Sequence, residues 1–101
     1  ASDVYKRQHL LHAQMCRGLA DPTRILLLYY LADGPRYVTE LAEKLSVSQP
    51  TISRHLKILR DRGLVSAVRE GNTVYYALRA VRIIQALDLL RGVMADILSE
   101  N

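Results

Sequence analysis

One cysteine, no tryptophan, no phenylalanine and only three prolines stand among 101 residues. A lone cysteine excludes an intramolecular disulfide framework and fits a reducing compartment, so the expected location is the cytoplasm. No apolar run approaches the roughly 18 residues needed to cross a bilayer, and no signal-peptide pattern opens the chain, so no membrane partner is expected. Pro-, Gly- or Ser-rich stretches and low-complexity tracts are also missing. Residues 1–101 therefore read as one globular domain, small enough that an additional interface would help its stability. A Gly-rich phosphate loop, a nucleophile elbow, paired carboxylates and a zinc-hydrolase helix are all absent, which argues against an enzyme. The aromatics are six tyrosines. Tyr29, Tyr30, Tyr75 and Tyr76 read as core and interface residues, without the stacking pattern of single-strand binding.

What the chain does have is cationic charge in one place. Its net charge is +4. Segment 36–79 carries Arg36, Lys44, Arg54, Lys57, Arg60, Arg62, Arg69 and Arg79 against Glu40, Glu43, Asp61 and Glu70, whereas the two ends together are neutral. A polyanionic partner is the natural inference.

The centre of that segment, SQPTISRHLKILRDR from Ser48 to Arg62, reads as a helix. Ser48 is a candidate cap for the first-turn amides, and Pro50 is tolerated where its missing N–H would have no partner. Ile52, Leu56 and Leu59 form one buried stripe by their spacing. Arg54, Lys57 and Asp61 lie opposite, with Thr51 and Ser53 on the flanks. Small polar and cationic groups on an outward helix face suit the DNA major groove. Before it, VTELAEKL (Val38 to Leu45) is a short amphipathic helix with Thr39 as candidate N-cap and Leu41, Ala42 and Leu45 inward. Ser46-Val47-Ser48 leaves room only for a turn, although it lacks the usual glycine. Two helices so joined make a helix-turn-helix. Gly63 then stops the second helix. Val65–Arg69 and Thr73–Ala77 read as strands around Glu70-Gly71-Asn72, so the pattern is a winged helix.

Three more helices and a strand are expected around this unit. Residues 3–17 form the first helix, ended by Gly18. Asp21 caps the second, with Pro22 at its first position and Asp33-Gly34-Pro35 as its stop. Its apolar residues Ile25, Leu26, Leu28, Tyr29 and Leu31 lie on several sides, which places it centrally. Tyr37 and Val38 are expected to add a minimal strand beside the wing. From about Ala80 to Glu100 a last helix carries Ile83, Leu87, Leu90, Met94 and Ile97 as a coiled-coil-type seam. Ile84, Leu89, Val93 and Leu98 add further apolar faces. One small domain covers one face of such a helix, so the rest, with Leu11 and Met15 of the first helix, points to a homodimer built on the two terminal helices.

With LADPTRILLLYYL, VTELAEKLSVSQPTISRHLKILRDRGLV and REGNTVYYAL, the chain resembles the ArsR/SmtB-type bacterial transcriptional repressors. The likeness runs from about Leu19 to Leu90. It implies a mainly α winged helix-turn-helix of five helices and a two-stranded wing, binding as a homodimer to an imperfect palindrome in double-stranded promoter DNA. By position, Ser48, Gln49, Thr51, Ser53, Arg54 and His55 fall on the recognition helix, with Lys57 beyond them, and Arg69 and Asn72 fall on the wing. His55 either donates to a phosphate or fixes a turn. Arg60 and Arg62 read as solvated or paired with Asp61. The family's sensing sites do not carry over. The arsenite-type thiol positions hold Tyr37, Thr39 and Ala42, and the zinc-type positions hold Ile84, Ala86, Ile97 and Glu100.

The signal that would release DNA is therefore open. His9, His12 and Cys16 line one face of the first helix at spacings of three and four, and their nitrogen and sulfur suit zinc, copper or a thiophilic metalloid. The same trio also fits an ordinary surface or interface. Cys16 alone suits an intersubunit disulfide or single oxidation, against the commoner inert thiol. A repressor without any small ligand, and a winged helix that binds protein instead of DNA, are the remaining alternatives.

Overall fold

Eight elements follow one another in the computed structural model, which describes residues 2–100. They are α1 (Ser2–Gly18), α2 (Pro22–Tyr30), β1 (Arg36–Tyr37), α3 (Val38–Leu45), α4 (Gln49–Asp61), β2 (Val65–Glu70), β3 (Thr73–Leu78) and α5 (Arg82–Ser99). Leucine and isoleucine at helical spacing build the core. Leu27, Leu28 and Leu31 come from α2 and its end, Leu41 and Ala42 from α3, and Ile52, Leu56 and Leu59 from α4. Leu64 and Val65 close it from the wing side, and Leu87 is the contribution of α5. The expected stripe of α4 is seen, and α2 gives Leu28 and Leu31 to the core as expected, but Leu26 is exposed, so α2 is not covered on every side.

The helix ends show which local signals operate. Asp21 is in extended conformation, and its carboxylate accepts the Arg24 backbone N–H at 3.2 Å, with Pro22 opening α2. That is the predicted cap. After α4, Gly63 adopts φ 81°. Its N–H donates to the Arg60 carbonyl and the Leu64 N–H to the Leu59 carbonyl, at 3.0 and 2.9 Å. Both belong to a Schellman closure, and the accompanying apolar contact is supplied by Leu59 and Leu64, which are both buried.

Two cap assignments need correction. Thr39 is not the N-cap of α3, because the helix begins at Val38 and Tyr37 holds the capping position. Tyr37 is already fixed by pairing with Tyr75 in the sheet. Its backbone N–H donates to Glu40 Oε1 at 3.0 Å, so the start is set one residue into a strand. Ser48 does occupy the N-cap of α4, yet its side chain caps no backbone amide. The hydroxyl donates to Thr51 Oγ1 at 2.9 Å instead.

The wing is a hairpin whose register runs from Val65 opposite Leu78 to Glu70 opposite Thr73. That leaves a two-residue turn of Gly71 and Asn72, with Gly71 at φ 62°, the positive angle a type II′ turn requires at its first central position. β1 adds a third antiparallel strand in the order β1-β3-β2. The minimal strand is thus present, but it comprises Arg36 and Tyr37, because Val38 has already entered α3. Tyr37 and Tyr75 meet edge to face at 5.9 Å.

Gly18 is the last residue of α1, not the stop just beyond it that was expected. It lies inside the helix and does not adopt positive φ. Its requirement is space: an added Cβ would lie 2.6 Å from Leu64 Cδ1 and 3.1 Å from Arg62 Cβ. Leu64 is itself buried, so moving it aside would disturb the core. Gly18→Ala is therefore expected to destabilise the protein by about 1–3 kcal/mol, the ordinary range for overpacking, read as a lower urea midpoint at unchanged m-value.

The terminal helices reach past the core. The radius of gyration is 15.1 Å, against about 13 Å for a compact chain of this length. Along α5, Leu89 and Leu98 are 75% and 74% exposed, and Leu90, Val93, Met94 and Ile97 are also exposed. Val4, Tyr5, Leu10 and Leu11 are exposed on α1. Of the seam residues, Leu87 is buried in its own chain's core, and Met15 and Ile83 pack against that core. Leu11, Leu90, Met94 and Ile97 are left outward. Among the described residues no helix is long and apolar enough to cross a membrane.

Candidate nucleic-acid interface

The turn between α3 and α4 determines how α4 is presented. Where a glycine is usual, Ser46 adopts the left-handed conformation at φ 54°, ψ 44°. The Val47 N–H then reaches the Ala42 carbonyl at 3.1 Å and the Ser46 N–H the Glu43 carbonyl at 3.3 Å. This is the same closure that Gly63 makes, achieved by a residue for which αL costs about 1–2 kcal/mol. The two closing hydrogen bonds offset part of that cost. Ile52, Leu56 and Leu59 then fasten α4 to the core along one side.

The opposite side is solvent-facing. Gln49, Ser53, Arg54 and Lys57 are exposed, as is Ser48 at the cap, while Thr51 is half-buried beside it. Arg69 and Asn72 are exposed on the wing, near and in its turn. Among the described residues the ion pairs are Arg36–Glu40 at 3.7 Å and Asp88–Arg91 at 3.8 Å. Arg54, Lys57 and Arg69 consequently have no acidic partner among the described residues, and neither do Arg60 and Arg62, so the suggested pairing with Asp61 is not formed. Unpaired guanidinium and ammonium groups on an outward helix face are what a polyanion can neutralise.

His55 differs from the rest of this set. It is half-buried on the flank of α4, with Nδ1 3.4 Å from Nη1 of Arg24. Arg24 was not singled out by sequence. Its Nε donates to the Gly18 carbonyl at 2.7 Å and its Nη2 to the Arg17 carbonyl at 3.3 Å. One side chain thus joins the end of α1 to the middle of α4. The available signal was a cation in the first turn of α2, where the helix dipole disfavours it. The charge serves instead the carbonyl-rich C-terminal end of α1, where a cation is favoured.

A second polar group lies between α2 and α5. The Tyr29 hydroxyl donates to Asp88 Oδ1 at 2.8 Å, and the Arg91 guanidinium lies 5.1 Å from the Tyr29 ring centroid. Tyr29 first, and then Asp88, raise the Arg91 guanidinium above its ordinary value. The His9, His12 and Cys16 side chains are all exposed on α1. Among the described residues of the single chain, no three His, Cys, Asp or Glu side chains converge as metal ligands.

Comparison with known proteins decides what such a scaffold is. The family model for bacterial regulatory proteins of the arsR family matches residues 21–67, which run from the cap of α2 into the wing. Over 84 residues the chain is 40% identical to a probable mercury resistance operon repressor of Streptomyces lividans, covering 83% of this chain and 67% of that one. Over 84 residues it is 43% identical to the HTH-type transcriptional regulator CmtR of Mycobacterium tuberculosis, covering 82% and 71%. The chain belongs to the ArsR family. A homodimeric winged helix-turn-helix DNA-binding domain from Mycobacterium bovis, solved by NMR, matches 100% of this chain and 94% of its own with a TM-score of 0.85 at 29% identity. This ArsR-family chain is accordingly a winged-helix, DNA-binding transcriptional repressor, and its α4 is the second helix of the helix-turn-helix. Both the family and the winged helix expected from sequence are borne out.

Proposed function

We propose that two copies of this ArsR-family chain pair through α1 and α5 and set their α4 helices into successive major-groove faces of a palindromic operator, in the cytoplasm and without a catalytic step. The observation that carries this reading is the division of α4 into a fully buried stripe and an opposite face of unpaired Arg54 and Lys57. Ser48, Gln49, Thr51 and Ser53 are the short groups suited to base edges, and Arg54 and Lys57 to bases or phosphates. Arg69 and Asn72 on the wing contact the minor groove or backbone. The M. bovis relative supports pairing, since it is itself homodimeric.

The test is affinity against salt for a duplex selected from a random pool. Arg54→Ala and Lys57→Ala are each expected to weaken binding and to flatten the log–log salt slope by about 0.9 per lost phosphate contact, hence about 2 for the two subunits. An unchanged slope in both variants would remove them from the contact set, and no affinity for duplex DNA at low salt would remove the reading.

The S. lividans relative favours a metal as the releasing signal. Two of the three histidines and the only cysteine of this chain lie on one exposed face of α1. His9, His12 and Cys16 are the donors we assign to a thiophilic metal ion or metalloid, with a remaining position left to water or the partner. Changing all three to alanine is expected to abolish release of DNA by such an ion while leaving binding intact. Release that survives in that variant rules the assignment out.

A further inference from the structure

His55 is the member of the DNA-facing set whose ring is held from behind. Arg24 donates to its Nδ1 at 3.4 Å, and the direction is not in doubt, because a guanidinium has donors and no acceptor and keeps its proton in proteins. If Nδ1 accepts, the single proton of a neutral imidazole sits on Nε2. The alternative tautomer would set two donors face to face. Nε2 has no hydrogen-bond partner among the described residues, and no buried side-chain nitrogen or oxygen there lacks one. Nε2 is therefore not sealed from solvent.

We propose that Arg24 is a positioning residue for DNA binding: it selects the Nε2–H tautomer of His55, which then presents a fixed donor to a backbone phosphate of the operator. The inference rests on the DNA-facing role of α4 proposed above, and it gives both nitrogens of His55 a task. Nδ1 is tied to the fold, and Nε2 serves the ligand. Arg24 is in turn immobilised by the Gly18 and Arg17 carbonyls. Those contacts use three of its donors in three directions, so a lysine could not reproduce them. The pairing costs little flexibility at the moment of binding, because the ring is already oriented. Phosphate contacts of this kind fix register on the duplex more than they read sequence.

The tautomer is measurable without any substitution. Long-range proton–nitrogen correlation of the imidazoles in the labelled, DNA-free protein, in mildly alkaline buffer, should give the Nε2–H pattern for His55, its signals assigned by their loss in His55→Asn. The Nδ1–H pattern overturns the proposal. Against the selected duplex, His55→Asn keeps an acceptor near the Nδ1 position and removes the Nε2 donor. It should lose about tenfold in affinity per half-site, the worth of one hydrogen bond to a charged group, at an unchanged thermal midpoint. Arg24→Met should lose a similar factor, and should cause no further loss when introduced beside His55→Ala. Full affinity in His55→Asn, or losses that simply add in the double variant, sinks the inference while leaving the recognition-helix reading intact. If the unaltered protein ignores duplex DNA, both fall, whatever tautomer is found. Should Arg24→Met fail to fold, the tautomer and His55→Asn decide.

Discussion

Aspartate at both Met94 and Ile97 is expected to convert the protein from a two-chain to a one-chain species and to weaken binding to a palindromic operator by about a hundredfold to ten-thousandfold. The residues are 53% and 50% exposed in the single chain, and Leu87 is the contribution of α5 to the buried core. The substitutions therefore touch little that holds one chain together. Within the proposed interface each would leave a carboxylate buried without a partner, at a cost of several kcal/mol per ion, set against burial of a few apolar side chains. The operator effect follows from linkage. Once one recognition helix is bound, the second half-site is engaged intramolecularly, and that gain disappears when the scaffold is split. Sedimentation would report the mass, and binding to a single half-site should be nearly unaltered. A two-chain mass retained in the variant, or a wild-type protein that binds half-site and palindrome equally, would count against pairing through α5.

The face that pairing would cover was visible in the sequence as an excess: α5 carries more apolar positions than a domain of this size can bury. Which of them serve the chain itself was not visible. Leu87 and Ile83 share the seam spacing with Leu90 and Met94, yet the former pair joins the chain's own core while the latter stays outside. Periodicity assigns residues to a stripe, but where along a helix the core ends depends on how far the helix overshoots its neighbours.

Elements closed by one punctuating residue were the most legible. Asp21-Pro22, Gly63 and Gly71-Asn72 act through backbone chemistry that is local to a few residues, and each does in the structure what its residue type implies. The failures have the opposite character. Thr39 lost the cap of α3 because Tyr37, paired in the sheet, holds that position, and Ser46 took a glycine's conformation to close α3 without any glycine to mark it. Gly18 was legible as a boundary but not as a point of close contact, since its neighbours Arg62 and Leu64 come from a distant part of the chain. The outward set on α4 followed from helical spacing alone. Arg24 did not, because its bonds to Arg17, Gly18 and His55 span seven, six and 31 residues. A cation in the wrong turn of a helix was its only local trace.

On the recognition helix itself, Leu56→Ala is expected to remove about 2–5 kcal/mol of stability, where Arg54→Ala two residues earlier should change it by less than about 0.5 kcal/mol. Leu56 is 0% exposed and lies midway along the stripe between Ile52 and Leu59. Its truncation leaves a cavity in the core that α2, α3 and α4 build together, which close-packed neighbours fill only in part. For a chain of about 100 residues each kcal/mol moves the thermal midpoint by about 4–8 °C, so a fall of at least about 8 °C should be seen. The pair of variants separates what the two faces do. Leu56→Ala should lower the midpoint and, at temperatures where it remains folded, keep the salt slope of DNA binding. Arg54→Ala should keep the midpoint and flatten the slope. Because pairing of subunits adds stability by mass action, the midpoints have to be compared at one protein concentration. If Leu56→Ala instead left the midpoint unchanged, α4 would not be anchored along this stripe, and the assignment of Arg54 and Lys57 to the outward side would go with it.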